Sequence, residues 1–102
     1  MELSVLDRIA LLSLLPEQGD YTTIRIVHDL KQDLSFTEAE HLALNLQVTP
    51  EGGMRWDGTV EREYDFGPRT VALIVDVLEK ADKGKKLSAD HLHVYELFME
   101  PQ

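Results

Sequence analysis

The longest regular alternation of apolar and polar positions runs over Pro68–Lys83. Val71, Ile74, Val75, Leu78 and Ala81 recur at three- and four-residue spacing, while Asp76, Glu79, Lys80 and Lys83 fall on other faces. Leu73 and Val77 widen the stripe, so this predicted helix packs against more than one neighbour. Pro68 suits a first helical position, where a missing N–H costs nothing. Gly84 follows as a C-terminal cap, with Lys83, Lys85 and Lys86 near the negative end of the helix dipole. The segment reads as the core helix of a small domain.

Upstream, Ser4–Leu15 predicts a helix that is apolar nearly all round, through Val5, Leu6, Ile9, Ala10, Leu11, Leu12, Leu14 and Leu15. Ser4 with Asp7 three residues on makes a shortened capping box, and Pro16–Gly19 ends the element. Such a helix is either central to the core or half of an oligomer contact. The core is the expected place. Asp20 or Thr22 caps a second helix reaching about Leu34, with Ile24, Val27, Leu30 and Leu34 on one side. A short third helix ends near Leu44, its capping box supplied by Ser35 with Glu38 or by Thr37 with Glu40.

The period then changes to two. Leu44, Leu46 and Val48 alternate with polar residues, the chain turns through Pro50-Glu51-Gly52-Gly53, and Met54–Asp57 resumes, which predicts a hairpin. Thr59–Phe66 alternates again, with Val60, Arg62, Tyr64 and Phe66 on one side and Glu61, Glu63 and Asp65 on the other. This predicts a third strand with an acidic outer face. Ser88 caps a last helix over Ala89–Met99, and Pro101 ends it. The expected fold is a single α+β domain over residues 1–102. It has about five helices and a small three-stranded antiparallel meander inserted after the third helix.

Composition narrows what such a domain does. With 43% hydrophobic residues the chain can bury a core, and no apolar run approaches a membrane span. The first segment lacks a basic leader and carries Asp7 and Arg8, so it reads as a native helix of a cytoplasmic protein. There is no cysteine, hence no disulfide frame, thiolate metal site or cysteine nucleophile. The net charge is −9, and residues 1–67 carry most of it, with thirteen acids against five bases. Such a surface repels nucleic acid, so direct DNA or RNA binding is disfavoured and a basic protein surface fits better as partner.

Chemistry-bearing motifs are sparse. No phosphate loop, dinucleotide fingerprint, nucleophile elbow or zinc-protease pattern occurs, so no cofactor and no enzymatic activity is expected. Asp90, His93 and Glu96 fall at three-residue steps, but His91 and His93 point about 200° apart on a helix. No metal pattern is completed, and the segment reads as an exposed face. Glu61, Glu63 and Asp65 read as a solvated or edge-protecting face, or as a patch held against a partner. Trp56, with Arg55 and the neighbouring Tyr64, reads first as core. It is also the best aromatic candidate for a contact surface.

The segments Val5–Arg8 (VLDR), Leu14–Gly19 (LLPEQG), Leu34–Glu40 (LSFTEAE) and Arg55–Asp57 (RWD) resemble a group of short phage-encoded proteins. The resemblance implies an accessory viral product in a bacterial host cytoplasm, and no site residues come with it. Together with the charge, it leads to a non-enzymatic protein that binds a host protein. The partner would be a nucleic-acid-binding or defence enzyme that it inhibits or modulates, met through Glu61, Glu63, Asp65, Trp56, Arg55 and Tyr64. Two alternatives stand beside it. One is a winged-helix-like regulatory module with Thr37–Leu44 as recognition helix and the Gly52-Gly53 turn as wing. The other is a homodimeric structural protein built on the first and last helices.

Overall fold

The structure is a computed structural model that describes residues 1–58 and 60–99. It is an α+β fold. In chain order the elements are β1 (Glu2–Leu3), α1 (Val5–Leu14), α2 (Tyr21–Leu34), α3 (Glu38–Leu44), β2 (Gln47–Val48), β3 (Met54–Arg55), β4 (Arg62–Glu63) and α4 (Pro68–Lys83). A 3-10 turn (Ala89–His91) then leads into α5 (Leu92–Met99).

Helix starts follow local hydrogen-bond chemistry. The Ser4 hydroxyl accepts the Asp7 amide and the Asp7 carboxylate accepts the Ser4 amide, closing the box at the head of α1. Asp20, not Thr22, caps α2 by accepting the Thr23 amide, and that bond holds its carboxyl below the usual aspartate range. Thr37 with Glu40 forms the box of α3, so the Ser35–Glu38 alternative is not used. Pro68 takes the first position of α4 behind Gly67.

At the end of α4 the residue in the left-handed region is Lys85 (φ 55°), while Gly84 sits at φ −82°. The Lys86 amide donates to the Ala81 carbonyl and the Lys85 amide to that of Asp82, which makes a Schellman motif. Glycine is thus one place early for the conformation it suits best. The last helix also departs from expectation at its start. Ala89–His91 is wound as a 3-10 turn before α5 begins, with the His91 ring taking the part of the third box residue. The expected stop at Pro101 lies outside the described residues.

Helix α1 is the hub. It touches β1, α2, α4, the 3-10 turn and α5. Its Val5, Ala10 and Leu11 are buried with Leu3, Val27, Leu30, Leu34, Ile74, Leu78 and Val94 from the surrounding elements. The α1 face that carries Val5, Ala10 and Leu11 is therefore used within the chain. Helix α4, expected as the core helix, does bury Ile74, Leu78 and Ala81, but as one wall around α1.

The sheet is not a three-stranded meander. The hairpin forms as expected, with Gln47 opposite Arg55 and Val48 opposite Met54. The next strand leaves it. Residues 62–63 pair antiparallel with β1 instead, Glu2 opposite Glu63 and Leu3 opposite Arg62, giving two separate two-stranded sheets. The reason lies in burial and in hydrogen bonds between Met1 and the strand. Leu3 is wholly buried beside α1, and the Met1 carbonyl accepts the Tyr64 amide at 2.8 Å. The Met1 ammonium donates to the Tyr64 carbonyl and the Glu63 carboxylate. The expected strand start at Thr59 lies outside the described residues.

Candidate interaction surface

Two charged residues inside the leucine-rich helix α1 set the frame on which the surface is built. Arg8 is wholly buried. Its Nη1 and Nη2 donate to Glu40 at 2.6 and 3.2 Å, its Nε to the Leu34 carbonyl and its Nη2 also to that of Ser35. The guanidinium lies 4.0 Å from the centre of the Phe36 ring. Every face of this cation is matched, by a carboxylate, two carbonyls at the end of α2 and an aromatic ring. The Arg8 hydrogen bond holds the Glu40 carboxyl down to about 2, against the opposing effect of its own burial. Asp7, next door, is equally enclosed. Both its oxygens lie 2.9 Å from Nδ1 of His93 on α5. A carboxylate only accepts, so the His93 proton on that side sits on Nδ1.

The strand β4 carries its residues as the alternation implies. Tyr64 turns inward and is buried, stacked on Phe66 at 5.2 Å between ring centres, with its hydroxyl donating to the Asp33 carbonyl at 3.2 Å. Burial pushes its hydroxyl pKa up. Tyr64 therefore packs in the core, on the inner side of the alternation, and little of its side chain is open to a partner. Its partner in the core was invisible at sequence level, because Asp33 is thirty-one positions away. Arg62 also folds back, donating to the same carbonyl and lying 5.3 Å from the Tyr64 ring.

Glu61, Glu63 and Asp65 remain exposed on the outer side. Register adds Glu2 directly opposite Glu63, a residue that sequence reasoning missed because a two-residue strand has no period to read. Like charges facing across a strand pair repel, and the Met1 ammonium on Glu63 offsets part of that repulsion. The edge thus presents four carboxylates against two cations, the Met1 ammonium and Arg62.

Arg55 and Trp56 lie elsewhere. They belong to the hairpin, which is a separate sheet from the acidic edge. Arg55 is exposed, and Trp56 is half-buried against a groove of about 410 Å³ between the hairpin, α1 and the 3-10 turn. Helix α3, the recognition helix of the winged-helix alternative, exposes Glu38, Ala39, His41, Leu42 and Ala43 and bears no arginine or lysine.

The groove also holds Ser13 and His91, 3.2 Å apart between Oγ and Nε2. They are not arranged as nucleophile and base. His91 Nδ1 accepts the Ser88 amide at 2.9 Å, so the proton of the neutral ring is on Nε2 and points at Ser13. The Ser13 hydroxyl in turn donates to the Ala10 carbonyl at 2.7 Å, away from the imidazole. A general base needs the reverse polarity. Among the described residues no group of three or more histidine, aspartate or glutamate side chains is placed to hold a metal ion. No helix is long and apolar enough to cross a membrane. Compared with protein-family models, with curated protein sequences and with solved structures, the chain matches none of them.

Proposed function

We propose that this protein is a non-enzymatic binding protein that offers its β1–β4 edge to a basic surface on another protein. In a bacterial host that partner is a nucleic-acid-handling enzyme, whose phosphate groove is basic, and binding inhibits or modulates it. One observation carries the reading. Tyr64 and Arg62 are tied back to the end of α2, and on the edge the four carboxylates of Glu2, Glu61, Glu63 and Asp65 outnumber the two cations, Arg62 and the Met1 ammonium. A concentrated surplus of negative charge accelerates encounter with a basic partner and excludes acidic ones. The inverted polarity of the Ser13–His91 pair supports a binding role over hydrolysis.

The test is capture from bacterial lysate on immobilised protein at about 50 mM and about 300 mM salt, where screening lengths differ more than twofold. Basic proteins retained at low salt, and lost both at high salt and on the triple variant E61Q/E63Q/D65N, are the expected result. Equal capture by the triple variant, or capture indifferent to salt, overturns the proposal. A duplex DNA gel shift at low salt is expected to stay blank, and a shifted band would favour the winged-helix module.

A further inference from the structure

The segment that reads in sequence as a third strand beside β3 pairs with β1 instead, so among the described residues no strand pairs with the outer edge of β3. The hydrogen-bond alternation of the hairpin shows which groups lie along it. The Thr49 amide donates to the Gly53 carbonyl, so the neighbouring Val48–Met54 pair is the non-hydrogen-bonded one and Gln47–Arg55 the bonded one. The amide and carbonyl of Met54 therefore point away from β2. Trp56 follows β3 directly, between Arg55, which bonds toward β2, and Asp57, whose amide donates to the Leu44 carbonyl at the end of α3. Among the described residues none bonds to the backbone of Met54 or Trp56.

Beside this edge runs the groove of about 410 Å³. Met54 and Trp56 form one wall and Leu6 and Ile9 of α1 the other, with Asp90 on the 3-10 turn. No residue of β2 lines it, so it opens on the β3 side of the hairpin. The volume lies within the range of sites that bind a compact ligand or a few side chains.

We infer that the open edge of β3 and this groove together bind an extended peptide segment of another protein, added as a third strand. The backbone of that segment bonds to Met54 and Trp56. Its alternate side chains, apolar, enter the groove against Leu6 and Ile9. Basic side chains between or beside them meet Asp90 and the field of a chain with net charge −9. That same charge disfavours a second copy of this chain as the occupant. The inference is independent of the acidic β1–β4 edge, which lies on the other sheet.

The experiment selects a displayed library of random nine-residue peptides on the full chain and remakes the enriched peptides synthetically. Expected are sequences that alternate apolar with other residues and carry lysine or arginine. Their binding changes the fluorescence of Trp56, the single tryptophan. Met54→Pro removes the outward amide without touching the bonds to β2 and should weaken binding about tenfold or more. Val48→Pro, the equivalent change on the far edge, should leave it within about twofold. Because a proline can disturb the hairpin, a second measurement stands apart from both variants. Amide exchange in the unmutated protein should slow at Met54 and Trp56 when peptide is bound.

Failure to enrich a patterned peptide overturns the inference, as does unchanged exchange at those amides or enrichment of peptides without basic residues. Concentration-dependent dimerisation in sedimentation that Met54→Pro abolishes overturns it too, assigning the edge to a second copy. The variant E61Q/E63Q/D65N should bind the selected peptides normally. If it loses them, the peptides sit on the acidic edge, and this inference falls while the proposed function stands.

Discussion

Replacing Glu40 by glutamine tests the buried pair that ties α1 to the α2–α3 junction. Arg8 has no exposure at all and the Glu40 side chain retains 15%. Glu40→Gln leaves the guanidinium enclosed with only carbonyls and a ring to face, and one amide N–H of the glutamine then opposes an arginine N–H. Removing one member of a buried pair costs about 3–5 kcal/mol. The ionisation of Glu40 leads to a similar figure. Its pKa falls from 4.5 to about 2 on folding, equivalent to about 3 kcal/mol, and solvent screening at the open side of the carboxylate reduces this toward about 2.

The sign follows from the direction of the shift. A carboxyl whose folded pKa is depressed contributes stability that is fully present above its unfolded value of 4.5 and is lost as pH falls through about 2. Urea unfolding followed by circular dichroism should therefore place Glu40→Gln about 2–3 kcal/mol below the parent at pH 7. The gap should narrow to roughly 1.5 kcal/mol or less at pH 3, where the parent carboxylate has lost most of its advantage. Adding Arg8→Met to Glu40→Gln should restore much of the loss, because the unpaired charge is gone. A gap under about 1 kcal/mol at pH 7, or one that stays constant from pH 7 to pH 3, would refute the account.

Two further predictions concern single positions. Lys85 holds a left-handed conformation (φ 55°) at the end of α4, and Lys85→Gly should stabilise the protein by about 1 kcal/mol, raising Tm by about 4–8 °C. A lower melting temperature in scanning calorimetry would show that the lysine makes a compensating contact. Tyr64→Phe deletes the hydroxyl that donates to the Asp33 carbonyl while keeping the stack on Phe66. It should cost about 0.5–1.5 kcal/mol in urea unfolding. It should leave salt-dependent partner capture unchanged, since the ring is core, and loss of capture in a folded variant would return Tyr64 to the contact surface.

The sequence by itself determined the head of α1, the start of α4 and the hairpin, and it narrowed the caps of α2 and α3 to two candidates each. The reason is range: a capping box joins residues three apart, as in Ser4–Asp7 and Thr37–Glu40, and the hairpin closes over Thr49–Gly53. The inward turn of Tyr64 and the outward turn of Glu61, Glu63 and Asp65 were legible too, because alternation in a strand needs no knowledge of its partner.

Only the tertiary structure decided which partner that strand takes. Two residues at each end of a pairing sixty-one positions apart carry no periodic signal, so neither β1 nor Glu2 announced itself. The open β3 edge and its groove follow from that choice and were hidden with it. Asp7 and Arg8 were in plain view inside a largely apolar helix, and two buried charges demand polar partners. Their identity, Glu40 and His93, rests on contacts thirty-two and eighty-six positions away, which local chemistry does not encode.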